Sequence, residues 1–398
     1  MIFYLLVLVI SAVVSFGFAV LIWKLSTRYR LYPAIRARDV HTRPTPRLGG
    51  VAMFLGIVAA FAVASQISWF HLVFIRPQQI FAILGAALII VLIGVADDIW
   101  DLDWLTKLAG QIIAAGLLAW QGVQLVSLPV GGLTVGSPYM SLVITVLAVV
   151  LVMNAVNFID GLDGLVAGVA IIANGVFFIY SYYLARVIGQ AEYFNLASLT
   201  TAVLIGACLG FLPLNWHPAK LFMGDAGALL VGLLMATSAI SVTGQIDPFS
   251  LRSGRLLLPA FIPILLPLAI FLVPLLDFCL AVLRRLRAGK SPFSADRKHL
   301  HHRLLDMGHS HFHAVLILYA WSSVIAIGGL LLLFIPVGLA IVFVVLGLVL
   351  CTWLTLAPLT RRKAIEIAVQ SASPDDAGAA EAARLDPLDA ASTTKETP

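Results

Sequence analysis

Charged residues are scarce in this chain. Asp, Glu, Lys and Arg make up only 11% of its 398 residues, whereas soluble globular proteins carry about 25%. So little charge cannot cover a water-facing surface, and the 61% apolar content is far above that of disordered chains. The composition therefore excludes both a soluble globular protein and a disordered one.

Cysteine is scarce as well. The three cysteines, Cys208, Cys279 and Cys351, all lie in apolar runs, and no two of them form a C-x-x-C pair. An odd number without that spacing excludes a disulfide framework and a zinc site built from cysteine pairs. We interpret all three as small buried apolar residues.

Apolar sequence is what the chain has in abundance. Its mean hydropathy is +1.02, and runs of about 20 apolar residues, the length that crosses a bilayer as a helix, separate the charged clusters. The pattern predicts an all-α, polytopic membrane protein with about eleven transmembrane helices, the fifth short enough to be tilted or partly buried. The predicted spans cover residues 3–23, 51–72, 80–96, 104–120, 140–153, 162–183, 196–214, 227–243, 257–283, 315–334 and 337–356.

The distribution of Lys and Arg predicts the orientation of these spans. With the amino terminus outside and the carboxyl terminus cytoplasmic, 21 of the 25 Lys and Arg residues lie inside, all except Arg76, Arg186, Arg252 and Arg255. Such an excess is what the positive-inside rule requires. Residues 1–358 then form the membrane domain, and 359–398, rich in Ala, Ser, Asp and Pro, form a cytoplasmic tail that we expect to be disordered.

Several negatively charged aspartates lie on the predicted cytoplasmic face, each beside the end of a span. Such charge beside apolar helix ends is unfavourable unless it is hydrated, paired or bound to a cation, and cytoplasmic loops normally favour Lys and Arg. Ordinary hydrated loop charge stays an equal alternative for Asp103. Seven acids from three loops form the set: Asp97, Asp98, Asp101, Asp103, Asp160, Asp163 and Asp225.

The spacing of these acids indicates a cation site. Asp97 and Asp101 are four residues apart, so a helix extension would place them on one face, with Asp98 turned about 100° away. Carboxylates beside Asn and Gly suit a hard cation such as Mg²⁺, which prefers to bridge to substrate phosphates. We therefore expect some acids to orient a cation or substrate and another to handle a proton.

Other polar residues on the same face suit a phosphorylated ligand. The amides of Asn154 and Asn157 could form hydrogen bonds to a base or sugar. The planar guanidinium groups of Arg43 and Arg47 suit phosphate, although a role only in setting the membrane topology explains these arginines nearly as well. A cluster of three histidines fits the binding of a diphosphate or sugar better than zinc, whose spaced ligand pairs it lacks. With the neighbouring arginine the cluster comprises His299, His301, His302 and Arg303.

A cation-coupled transporter is the alternative from another class of protein. It would place ionisable residues near the middle of the bilayer, in broken helices of two similar halves. Only Asp277 lies well inside a predicted span, and we keep it outside the catalytic set because pairing with a neighbouring helix explains it equally well. We therefore favour an enzyme.

Five segments, in order, resemble the polyprenyl-phosphate N-acetylhexosamine-1-phosphate transferase superfamily. They are RDVHTRPTPRLGG, the DDxxD of Asp97–Asp101, NAVNFIDGLDGL, FMGDAG and HLHHRLLDMG. The HLHH segment looks like the WecA/TagO group, and two loops look actinobacterial. The resemblance implies a bacterial inner-membrane enzyme with a cytoplasmic active site. Such enzymes transfer N-acetylglucosamine 1-phosphate from UDP-GlcNAc to undecaprenyl or decaprenyl phosphate and release UMP, the first membrane step of an envelope glycopolymer.

The resemblance also implies roles for individual residues. Asp97 and Asp98 match the paired acids, Asp98 being the group that deprotonates or positions the lipid phosphate, and Asp225 matches the ligand of Mg²⁺, with Mn²⁺ as the alternative ion and Asp98 as a second ligand. The segments with Asn154, Asn157, Asp160 and Asp163 match the nucleotide-sugar and catalytic region, and His299, His301 and His302 match the sugar-diphosphate motif.

The resemblance has two departures and leaves some questions open. Ala228 replaces the serine that usually ends the GDxGS element, and Asp39 replaces a basic residue. Another UDP-HexNAc or UDP-MurNAc-pentapeptide stays an alternative donor, although the pentapeptide enzymes carry a PVHHH-type motif. A single displacement and a two-step route through an Asp nucleophile are both open, as is a homodimer. No nucleic-acid partner is expected.

Overall fold

The computed structural model describes residues 1–29, 45–125, 137–187, 191–243, 257–287, 289 and 300–371, and in this part of the chain every regular element is helical. The predicted all-α class is therefore confirmed. The helices are α1 (Ile2–Tyr29), α2 (Gly49–Ala64), α3 (His71–Phe74), α4 (Pro77–Trp100), α5 (Trp104–Trp120), α6 (Pro138–Phe158), α7 (Leu165–Val187), α8 (Ala191–Asn215), α9 (Gly224–Thr243), α10 (Leu257–Arg287), α11 (Leu300–Asp306), α12 (His311–Leu331) and α13 (Val337–Ser371), with a short 3-10 helix at Ser68–Phe70.

Eight of these helices are long and apolar enough to cross a membrane: α1, α4, α6, α7, α8, α9, α12 and α13. The other three predicted spans fall on the 17-residue helix α5, on the 31-residue helix α10 and on a bent pair, so the number eleven stays a prediction. Helix α13 runs past the predicted domain boundary at residue 358, and most of the predicted tail lies outside the described residues.

Two predicted spans differ from the helices observed. The span at 51–72 is not straight, because α2 ends at Ala64 and the following Ser68–Phe74 segment is bent by 94° from it. At this break the hydroxyl of Ser65 donates to the carbonyl of Ala62. The fifth span, expected to be short, is the 21-residue helix α6, because it continues through Asn154 and Asn157, whose polarity shortened the apolar window.

Helix α9 forms the centre of the bundle. Within its apolar window 94% of the residues are buried, and it packs against α2, α4, α6, α7, α8 and α10. Its buried hydroxyls are satisfied inside the helix, since Thr237 and Ser238 donate to the carbonyls of Leu233 and Leu234. Helix α13 is peripheral, with only 11% of its window buried.

Glycines allow the close packing at the start of α9. A Cβ on Gly94 of α4 would collide with the backbone of Ala226, and one on Gly50 of α2 would collide with the backbone of Ala226 and Gly227. The first turn of α9 is therefore wedged between α4 and α2. This contact brings the end of α4, the start of α2 and the start of α9 to one point.

The seven predicted acids all lie at the same end of the bundle, which we call the acidic end. It is formed by the final turns of α4, α6 and α8 and the first turns of α2, α5, α9 and α12. Among the Lys and Arg side chains that the structure describes, only Arg76 and Arg186 lie at the opposite end. The predicted acids and most of the described Lys and Arg side chains therefore lie at the same end of the bundle.

Candidate active site

Backbone hydrogen bonds join the segment before α2 to the segment before α9. The N–H of Phe222 donates to the carbonyl of Pro46 over 2.8 Å, and the N–H groups of Gly49 and Gly50 donate to the carbonyls of Phe222 and Met223, each over 3.0 Å. These segments are more than 170 residues apart in the sequence. The three bonds fix the RLGG motif beside the FMGD motif.

Gly224 makes the turn that delivers Asp225 to this junction. Its φ of +69° lies in the left-handed region, which glycine adopts without the steric cost of a side chain. A Cβ at Gly224 would also collide with the carbonyl oxygen of Arg47 and with Oδ2 of Asp98. A glycine is therefore needed both for the turn and for the close approach of the Asp98 carboxylate.

Asp98 is surrounded by the polar groups of this junction. Its carboxylate interacts electrostatically with Asp225, with the guanidinium of Arg47 and with the neighbouring Asp97, and the backbone amide of Asp225 faces it. Its Oδ2 atom is buried and accepts no hydrogen bond within the described part of the chain. That oxygen is available to a ligand or cation.

Lys107 connects the other two acids of the junction. Its Nζ lies 3.0 Å from Oδ2 of Asp97 and 3.5 Å from Oδ2 of Asp225. The side chain of Asp97 is 5% exposed and that of Asp225 29% exposed, so the Asp97 carboxylate is desolvated and needs this counter-ion. We refer to Asp97, Asp98, Asp225, Lys107 and Arg47 as the charge cluster.

The turn between α4 and α5 separates Asp101 from Asp97. Helix α4 ends at Trp100, and Asp101 adopts a left-handed conformation with φ 53° while its N–H still donates to the carbonyl of Asp97. The expected pairing of Asp97 and Asp101 on one helix face is therefore wrong, because the helix stops before Asp101, which is exposed while Asp97 is buried.

Asp103 has a structural role instead of a place in the charge cluster. It is the N-cap of α5, and its carboxylate accepts from the N–H of Thr106 over 3.0 Å and from the Thr106 hydroxyl. These hydrogen bonds to the charged form lower the pKa of Asp103. Of the two interpretations of Asp103, ordinary loop charge is the one the structure favours.

Asp163, one of the predicted acids, anchors His217, a residue that the sequence did not indicate as part of the site. Its buried Oδ2 lies 2.7 Å from Nδ1 of His217 and accepts from the N–H of Ala219 over 3.1 Å. The imidazole of His217 is stacked on that of His311, with centroids 5.3 Å apart and planes 7° apart. Asp163 thus holds a half-exposed histidine, whose side chain is 42% exposed, at the acidic end.

Asn215 locks the loop after α6 to the loop after α8. Its Oδ1 accepts from the N–H of Gly164 over 2.9 Å, and its Nδ2 donates to the carbonyl of Leu221 over 3.1 Å. Asn215 and His217 were missing from the predicted site because single polar residues at the end of an apolar helix and just after it form no recognisable spacing. The available signal was their position directly before the LFMGD segment.

The asparagines of α6 differ in their surroundings. The amide nitrogen of Asn154 donates to the side-chain oxygen of Gln111 on α5 and to the carbonyl of Val150, so it is engaged in the contact between two helices. Asn157, one turn later, is half-buried, and its carbonyl accepts from the N–H of Asp160 over 3.2 Å. Asp160 is likewise half-buried, in the turn that follows the end of α6.

The histidine motif is described only in part. Arg43 and His299 lie outside the described residues, and His301 and His302 belong to α11, where the structure describes their backbone alone. Arg303 is exposed on the same helix, which packs against α12. Because α12 begins with His311, the histidine motif lies on the same end of the bundle as the His217–His311 stack.

The charge cluster fits a magnesium ion that is shared with a substrate. Among the described residues, no three His, Cys, Asp or Glu side chains are close enough to hold a metal by themselves. Mg²⁺, however, is commonly held by one or two carboxylates together with substrate phosphates. Oδ1 of Asp97 and Oδ2 of Asp98 are buried oxygens without a hydrogen bond in the described part, which is the donor chemistry that such an ion requires.

Comparison with known proteins identifies the family. A family model described as glycosyl transferase family 4 matches residues 80–243. The chain is 40% identical to a decaprenyl-phosphate N-acetylglucosaminephosphotransferase from Mycolicibacterium smegmatis over 83% of this chain and 82% of that protein. The Mycobacterium leprae protein of the same name is 41% identical over 89% of each chain.

A more distant relative comes from Bacillus subtilis. It is a probable undecaprenyl-phosphate N-acetylglucosaminyl 1-phosphate transferase, 31% identical over 74% of this chain and 75% of that protein. These matches confirm the resemblance found in the motifs, including its actinobacterial character. The chain belongs to glycosyl transferase family 4, within the polyprenyl-phosphate N-acetylhexosamine-1-phosphate transferase superfamily.

Proposed function

We propose that this protein transfers N-acetylglucosamine 1-phosphate from UDP-GlcNAc to a polyprenyl phosphate. The observation that carries the proposal is the charge cluster, in which acids and cations from α4, α5, α9 and the segment before α2 meet at one end of an apolar helix bundle. The names of the mycobacterial and Bacillus relatives support a polyprenyl phosphate acceptor and an N-acetylglucosamine group. The family match supports a sugar transferase.

The proposed reaction exchanges one diphosphate bond for another. An oxygen of the lipid phosphate forms a bond to the β-phosphorus of UDP-GlcNAc, and the bond from that phosphorus to the bridging oxygen breaks. The electron pair leaves with UMP. Because a diphosphate is both broken and made, the exchange is nearly balanced, and catalysis consists mainly of positioning and charge neutralisation.

Each residue of the charge cluster has a proposed part in this exchange. Arg47 and Lys107 bind and neutralise phosphate oxygens. Asp98 positions the lipid phosphate and accepts its proton when the phosphate arrives protonated. Asp163, through the imidazole of His217, places a hydrogen-bonding group at the same end of the bundle.

We further propose that Asp225 and Asp98 hold Mg²⁺, with Mn²⁺ as a substitute, together with the donor diphosphate. The ion would neutralise charge on the diphosphate oxygens. The unbonded buried oxygen of Asp98 and its proximity to Asp225 support this assignment.

The acidic end is proposed to face the cytoplasm of a bacterial cell, with the bundle in the inner membrane. The excess of described Lys and Arg at that end supports this orientation. It suits the substrates, because the isoprenoid tail of the acceptor is confined to lipid while a nucleotide sugar is dissolved in the cytosol. One active site at the boundary gives both access to the same phosphorus.

A panel of donors tests the proposal. Detergent-solubilised protein is incubated with Mg²⁺, decaprenyl or undecaprenyl phosphate, and UDP-GlcNAc, UDP-GalNAc or UDP-MurNAc-pentapeptide. We expect UMP and a lipid-linked diphosphate sugar from UDP-GlcNAc. Product from another donor alone would replace the proposed substrate, and no product from any donor would contradict the proposed reaction.

A further inference from the structure

Lys107 occupies the space between two carboxylates of the charge cluster. Its ammonium group is 3.0 Å from Oδ2 of Asp97 and 3.5 Å from Oδ2 of Asp225. Asp225 is one of the two proposed metal ligands. The lysine comes from α5, whereas the acids come from α4 and α9. One cation from a third helix therefore holds together the carboxylates of two others.

Without a cation, this arrangement would be unfavourable. Two carboxylates that share one ammonium repel each other when it is removed, and the buried Asp97 would keep an uncompensated charge. Lys107 is long and unbranched, and its side chain is 27% exposed, so it can swing away from the acids toward solvent. A divalent ion held by Asp98 and Asp225 would take the Asp225 carboxylate that Lys107 contacts. The two cations must therefore compete for it, because like charges at such short range repel each other.

We propose that Lys107 is an internal counter-ion that holds the site of the divalent ion in the metal-free protein and moves away from Asp225 when that ion binds. The proposal rests on the metal site of the proposed function. Lys107 keeps the acids together before the metal and donor arrive, and its release supplies a mobile ammonium group beside the phosphates. It is thus a positioning residue for the metal site.

Mn²⁺ binding to the full-length purified protein, without donor or acceptor, tests this competition. Free Mn²⁺ is measured by electron paramagnetic resonance for the wild type, Lys107→Met and Lys107→Arg. We expect Lys107→Met to bind Mn²⁺ about tenfold more tightly, the effect of removing a partly screened competing charge, and Lys107→Arg to resemble the wild type. Unchanged or weaker binding by Lys107→Met would overturn the proposal.

Lys220→Met is the matched control. Lys220 also lies at the acidic end, but its ammonium group lies over the ring of Trp23 at 5.3 Å from the centroid. Removing it deletes one positive charge from the same end without freeing a carboxylate of the charge cluster. Its Mn²⁺ affinity should equal that of the wild type, and an equal gain in both variants would show a general effect of net charge and overturn the specific role of Lys107.

A second measurement uses the wild type alone and does not depend on the folding of a variant. Lysines are acetylated with and without Mn²⁺, and modification is quantified by mass spectrometry. Mn²⁺ should raise the acetylation of Lys107 and leave that of Lys220 unchanged. A lysine that serves only as a structural ion pair would show no rise, and that result would contradict the proposal.

UMP release by the same wild-type preparation separates the two proposals. If UMP forms but Mn²⁺ neither binds Lys107→Met more tightly nor exposes Lys107, the counter-ion role fails and the transferase function stands. If Mn²⁺ competes with Lys107 but no UDP-sugar yields UMP, the transferase function fails and the counter-ion role stands.

Discussion

At the scale of single residues, the structure divides the predicted acids into two kinds. Asp97, Asp98 and Asp225 belong to the charge cluster, where burial and mutual repulsion must be balanced by Lys107 and other cations. Asp103, which looks equivalent in the sequence, caps a helix in water. Proximity in sequence to a DDxxD motif therefore does not decide whether a carboxylate takes part in the chemistry.

The contact of Asp163 with His217 leads to a prediction about coupling. If Asp163 acts through the imidazole, Asp163→Asn and His217→Ala should each lower kcat/KM for UMP release, and the double variant should lose less than the product of the two losses. We expect a coupling energy of about 1–2 kcal/mol, within the range for residues in contact. Steady-state kinetics of the four proteins measures it, and independent, multiplicative losses would show that Asp163 does not act through His217.

At the scale of helices, the position of the charge cluster depends on the wedge formed by the first turn of α9. Two glycines, Gly50 and Gly94, let α2 and α4 approach the backbone at Ala226. The same approach brings Asp97 and Asp98, in the last turn of α4, next to Asp225. The geometry of the charge cluster therefore depends on the close packing that these small residues allow.

Gly94→Ala tests that link. The added methyl group would meet the backbone of Ala226, which cannot give way as a side chain can, so we expect a destabilisation of about 1–3 kcal/mol and a loss of UMP release. Gly116→Ala on α5 is the control, because a Cβ there meets nothing within 4 Å and alanine favours a helix. Equal melting temperatures for the two variants would refute the wedge.

Much of this arrangement could be predicted from the sequence. Apolar runs predicted the helical class, and the order of spans placed seven acids at one end. The pairings could not be predicted, because they depend on how each helix is rotated and how closely it packs. Lys107 and His217 show this: each is an ordinary residue in the sequence, and only the folded chain brings them to Asp225 and Asp163. The bend after Ala64 was missed because Ser65, Gln66 and Ser68 interrupt the apolar run there without adding a charge that would end the predicted span.

At the scale of the whole molecule, the proposed reaction requires that the acidic end faces the cytoplasm. In a variant whose native cysteines are replaced, Lys220→Cys at the acidic end should react with a membrane-impermeant maleimide only after cells are opened. Tyr139→Cys, exposed at the opposite end where α6 begins, should react in intact spheroplasts. The reverse pattern would show that the proposed orientation is inverted.

The most direct test of the proposed reaction measures UMP release by two purified variants, each with one aspartate replaced by asparagine. Asp225→Asn keeps the size of the side chain but removes the charge that Lys107 and the proposed metal require, so Mg²⁺-dependent release of UMP from UDP-GlcNAc and polyprenyl phosphate should fall by at least about 100-fold. Asp103→Asn should retain activity, because asparagine also caps a helix. Undiminished UMP release by Asp225→Asn, with both variants folded, would contradict the account.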